Sequence, residues 1–119
     1  MNFKSAVAID AVCVVVFCAI GRRSHEEGIT LAGLAKTAWP FLTGAAVGWL
    51  LSCKWQGLGR PAAVNPTGLA VWLSTVVVGM VLRKLSGQGV AFSFVIVAAT
   101  VTAVLLLGWR ALAALLSRR

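Results

Sequence analysis

VAFSFVIVAATVTAVLLLGWRALAALL, running from Val90 to Leu116, carries one charged residue, Arg110. A helix needs about 20 consecutive apolar residues to cross a hydrocarbon core, and this stretch is longer than that. Three more apolar stretches lie upstream, at Pro66–Leu82, Ile29–Cys53 and Phe3–Gly21. Together the four occupy most of the 119 residues. Hydrophobic residues make up 60% of the chain and charged residues 12%, about half the charged share of a soluble domain. Lipid cannot satisfy backbone N–H and C=O groups, so each crossing must be a helix or belong to a closed barrel, and unbroken apolar runs lack the alternation of barrel strands. The expected fold is an all-α integral membrane protein, with four transmembrane helices in one antiparallel bundle and a single domain over residues 1–119.

Lys4 ahead of an apolar run imitates a signal peptide. Asp10 interrupts that run and no clear small-x-small site follows, so the segment reads as a retained helix. The net charge of +8 would suggest nucleic acid in a soluble protein, but the Lys and Arg residues gather at predicted helix ends, where anionic headgroups are the expected partners. No separate basic domain exists to bind nucleic acid. Cys13, Cys18 and Cys53 form no metal-ligand pattern and read as small buried apolar residues.

Four crossings put both termini on one side, together with the loop from Lys54 to Asn65. Lys4, Lys54, Arg60, Arg118 and Arg119 fall there, with Arg110 nearby, against Arg22, Arg23, Arg83 and Lys84 opposite. This small excess favours termini in the cytoplasm and a multi-pass protein of the cytoplasmic membrane, and leaves inverted or dual insertion open. Trp49, Trp55, Trp72 and Trp109 all fall toward the same side and are expected to anchor the interface. Pro40 removes a backbone hydrogen bond inside the second helix and should kink it unless Thr37 or a facing helix restores the bond.

Gly44, Gly48 and Ser52 repeat every four positions along the second helix. Glycine permits the close backbone approach on which helix association in lipid depends. Helix 1, helix 3 or another subunit could take this ridge; an internal contact is favoured. Asp10 lies six positions past Lys4, roughly 9 Å along a helix, inside the hydrocarbon. An ionised carboxylate there costs at least about 2.5 kcal/mol, so it must be paired, protonated or turned to a polar cavity. Arg110 arrives at similar depth on the last helix and is the proposed partner. On the other side, Arg22, Arg23, His25, Lys36, Arg83 and Lys84 form a candidate basic rim for anionic lipid headgroups or another anion. No nucleophile and base stand in a recognisable arrangement, and no histidine lies in a crossing to ligate haem, so neither catalysis nor a cofactor is expected.

Two functional readings follow. The first is a non-enzymatic membrane protein acting through contacts with lipids, with itself or with another membrane protein, as an accessory subunit of a larger complex. The second is a small dimeric proton-coupled transporter that uses Asp10. Length, helix number and the acid in the first helix are similar in architecture to small multidrug-resistance transporters, although the residues around Asp10 do not reproduce the acid-centred motif of that family.

A more specific pattern runs the length of the chain. Gly21, Arg22, Arg23, Ser24 and His25 follow the acid-containing helix; Pro40, Phe41, Gly48 and Trp49 mark the second; Arg83 ends the third; Gly108, Trp109 and Arg110 come late in the fourth. This combination resembles the prokaryotic membrane family called domain of unknown function 3054. The resemblance implies a small four-helix protein of a bacterial or archaeal inner membrane and no substrate, cofactor or reaction. It points to Asp10, Arg22, His25, Arg83 and Arg110 as residues to test.

Overall fold

The computed structural model describes residues 3–24, 30–56, 67–88 and 91–117. These form four helices, α1 (Phe3–Ser24), α2 (Leu31–Gln56), α3 (Leu69–Leu85) and α4 (Phe92–Ser117). Each helix runs past the expected carboxyl end, because helical hydrogen bonding does not stop where the apolar run does. In α3 the extra turn carries Arg83 and Lys84, cations that complement the negative end of the helix dipole. Gly87, with φ at +84°, then makes the left-handed turn that glycine adopts without strain. The helix start expected at Asn65 and Pro66 lies outside the described residues.

Two helices are long and apolar enough to cross a membrane by length and composition alone, over Lys4–Gly21 and Phe92–Leu116. Only 28% and 17% of these spans are buried, unlike the core helix of a soluble protein. α3 is shorter, 17 residues or about 26 Å. α2 is as long as α4 but is diluted by Thr37, Pro40, Thr43, Gly44, Gly48 and Ser52.

Each helix packs on two neighbours in the ring α1–α2–α3–α4, with α2 and α3 the closest pair. Contacting residues show that every pair is antiparallel. Asp10 meets Trp49 and Phe17 meets Phe41 between α1 and α2. Trp72 bonds the Ala99 carbonyl and Arg83 covers Phe94 between α3 and α4. Asp10 meets Arg110, and Cys13 the Leu105 carbonyl, between α1 and α4. The start of α1 and the end of α4 therefore share one end of the bundle. Among the described residues the core is made of Val14, Phe17, Cys18, Ala38, Phe41, Ala45, Val71, Ala98 and Leu106. Phe17 and Phe41 pack edge to face at 5.3 Å, and Phe94 completes the aromatic cluster.

The glycine ridge faces α3. A methyl group on Gly44 would sit 2.7 Å from the Ser74 carbonyl oxygen, and one on Gly48 2.7 Å from Val71 Cα. This approach lets the Ser74 hydroxyl donate across the pair to the Gly44 carbonyl at 2.6 Å. Thr75 and Thr102 instead turn back to carbonyls of their own helices. Ser52 ends the ridge, buried and with its hydroxyl unbonded among the described residues. Gly79 answers from α3, where an added methyl would meet the Phe41 ring at 2.6 Å. Gly79→Ala is expected to cost about 1–3 kcal/mol through overpacking. Phe41→Leu should relieve part of that, so the double variant, followed by denaturant unfolding in micelles, should lose less than the sum of the two singles.

Pro40 is buried within a continuous α2. Its missing N–H leaves the Lys36 carbonyl without its helical partner, and Gln88 supplies one from the turn after α3, with Nε2 3.4 Å from that oxygen. The segment that follows α3 thus reaches across to this carbonyl.

Candidate functional site

Three helices converge on one carboxylate. Asp10 stands in the third turn of α1, Trp49 late in α2, and Trp109 and Arg110 side by side on α4. Asp10 and Arg110 are fully buried. Arg110 Nη1 donates to Asp10 Oδ1 and Nη2 to Oδ2, both at 2.7 Å. This parallel fork is the geometry in which guanidinium and carboxylate bind most strongly. The indole N–H of Trp109 donates to Oδ1 and that of Trp49 to Oδ2, each at 2.9 Å. Arg110 Nη1 also donates to the Leu106 carbonyl one turn back at 3.0 Å, and its Cζ lies 4.5 Å from the Trp109 ring centroid.

Each carboxylate oxygen therefore accepts two hydrogen bonds, which fills the roughly four acceptor positions of a carboxylate. A proton or ligand could reach Asp10 only by displacing a donor. Burying two ions costs several kcal/mol each, and their attraction offsets that only where the geometry is good and the remaining lone pairs are satisfied. Both conditions hold here. The arrangement is a clasp that ties α1 to α2 and α4.

The partner expected for Asp10 from depth alone is thus the one that binds it. The two indoles have roles that depth did not reveal. Trp49, Trp72 and Trp109, read from the sequence as interface anchors, all direct their N–H groups into the bundle, two to Asp10 and one to the Ala99 carbonyl at 3.0 Å. Buried acceptors on facing helices lie within their reach, and an indole N–H taken out of water needs one. The adjacency of Trp109 to Arg110, and the matching depth of Trp49 on an antiparallel neighbour, were the available signals. The side chain of Trp55 lies outside the described residues.

At the other end of the bundle the proposed rim is only partly described. His25 and the side chains of Arg22 and Arg23 lie outside the described residues. Lys36 and Lys84 are exposed. Arg83 is half-buried, with its guanidinium carbon 4.5 Å from the centroid of the Phe94 ring and Nη1 donating to Gln88 Oε1 at 3.1 Å. Gln88 also caps the Lys36 carbonyl, so Arg83 and the Lys36 backbone are joined through one amide. Among the described residues no three His, Cys, Asp or Glu side chains cluster as metal ligands would.

No curated protein and no solved structure matches this chain. A family model does match, over residues 7–113, a span that runs from just before Asp10 to just past Arg110 and so includes all four members of the clasp. The chain belongs to the family described as protein of unknown function (DUF3054).

Proposed function

We propose that this chain is a small multi-pass protein of the cytoplasmic membrane, with all four helices crossing and both termini in the cytoplasm. It acts without catalysis, through protein or lipid contacts, as an accessory subunit of a larger membrane assembly. One observation carries this reading: the buried polar centre is consumed internally, every acceptor position of Asp10 being filled by Arg110, Trp49 and Trp109, while the outer faces are apolar. Leu73, Val77 and Val81 form an exposed stripe at four-residue spacing along α3, and Val104, Leu112, Leu115 and Leu116 are exposed on α4. Such faces suit lipid or another helix and not water. The four-crossing arrangement is supported by α2 and α3 lying antiparallel in one ring with the two apolar spans. The saturated carboxylate gives the transporter reading less support, since a coupling site must exchange its proton.

Gentle detergent extraction followed by crosslinking and copurification tests the reading. A stoichiometric membrane partner is the expected result, and a lone monomer would count against it. The purified protein in proteoliposomes should show no pH-driven cation flux. Flux that disappears in Asp10→Asn would overturn the reading in favour of proton-coupled transport.

A further inference from the structure

A cavity of about 210 Å³ opens between α1 and α4, walled by Phe17, Ile20, Gly21, Phe94, Val97 and Val101. Ser93 is the one polar side chain in its lining. The cavity lies at the end of the bundle where α1 closes, α4 begins and α3 ends, away from the clasp. Ile20 and Val97 are 52% and 53% exposed, so the opening faces sideways from the two helices that are apolar enough to cross a membrane.

Size and lining restrict what enters. Pockets for drug-sized ligands begin at about 300 Å³, whereas an apolar cavity of about 150 Å³ stays dry and takes up a small hydrocarbon. The volume here suits a segment of one hydrocarbon chain. Charge adds a second condition. The Phe94 ring that forms one wall carries the Arg83 guanidinium on its face, and Gln88 fixes that guanidinium in place. Lys84, the residue after Arg83 on α3, is exposed. An apolar slot open to the side with cations at its end is complementary to an acyl chain attached to an anionic headgroup.

We propose that the cavity between α1 and α4 binds one acyl chain of an anionic phospholipid, with the phosphate held at the level of Arg83 and Lys84. This rests on the membrane reading above and deepens it by naming the lipid class and the place. Gly21 offers a direct test, because a side chain added there meets nothing within 4 Å of its Cβ and leucine suits a helix better than glycine does. Gly21→Leu should therefore fold, fill the slot and exclude the chain.

Native mass spectrometry of the full-length protein in detergent, titrated with dioleoyl phosphatidylglycerol or dioleoyl phosphatidylcholine, reads the outcome. One phosphatidylglycerol per chain is expected to bind in preference to phosphatidylcholine. Gly21→Leu should weaken that binding at least about tenfold, since several buried methylenes are lost. Arg83→Gln should weaken phosphatidylglycerol about fivefold and leave phosphatidylcholine unchanged. Val77→Trp, on the outer face of α3, should alter neither. Equal binding of the two lipids, or undiminished binding to a folded Gly21→Leu variant, would overturn the proposal, as would a crosslinked dimer that closes the cavity. A protein that stays dispersed without detergent would instead remove the membrane reading itself.

Discussion

Replacing Asp10 by leucine is expected to cost about 3–5 kcal/mol of stability, because it removes the carboxylate that binds both Nη atoms of the buried Arg110 guanidinium. Arg110→Leu should cost a similar amount by stranding the carboxylate. The double variant should recover part of the loss, since replacing a whole buried ion pair by apolar side chains is often neutral. Recovery stays incomplete here: the N–H groups of Trp49 and Trp109 lose their common acceptor, and each unsatisfied buried donor costs about 1–3 kcal/mol. Exchanging the two charges should fail for the same reason, because both indoles would then point donors at a guanidinium. Unfolding in mixed micelles, followed by tryptophan fluorescence, measures all four variants. A loss below about 1 kcal/mol for either single substitution would show that the clasp is not what secures α1 to α4.

Gly48→Val is expected to give the second large effect, about 3 kcal/mol or more, at the top of the overpacking range. The added Cβ alone would meet Val71 Cα at 2.7 Å and the Ala70 carbonyl oxygen at 3.2 Å, backbone atoms that cannot swing aside as a side chain can. α2 and α3 must separate, which stretches the Ser74 to Gly44 hydrogen bond and moves Trp49, the next residue, away from Asp10. Loss of a monodisperse peak on size exclusion and a red-shifted tryptophan emission would report this. Gly108→Val serves as the control, since a Cβ added there meets nothing within 4 Å. Native-like unfolding of Gly48→Val would mean that the α2–α3 contact is looser than described.

How much of this was legible beforehand varies by residue. The pairing of Asp10 with Arg110 was readable because depth follows from residue number and rise per turn, and because a partner is one way to offset the cost of a charge in an apolar segment. That the ridge of Gly44 and Gly48 would be buried was readable from its spacing; that α3 would cover it was not, since helix 1 and a second subunit were equally compatible with small residues. The inward turn of Trp49, Trp72 and Trp109 escaped notice because their position along the axis agreed equally well with an interface. The role of Gln88 as donor to the carbonyl freed by Pro40 joins residues 52 positions apart, a contact that no local pattern announces.

Apolar run length by itself determined the helical class, the number of helices and their order. The matching depth of one acid and one base pointed to a meeting of the first and last helices, which the folded chain makes. Tertiary structure decided which way each side chain points around its helix axis: two indoles onto Asp10, the glycine ridge against α3, and a gap left between α1 and α4. The physical reason is that position along a helix is fixed by counting residues, whereas rotation about the axis is set by packing against neighbours that only the folded chain brings together.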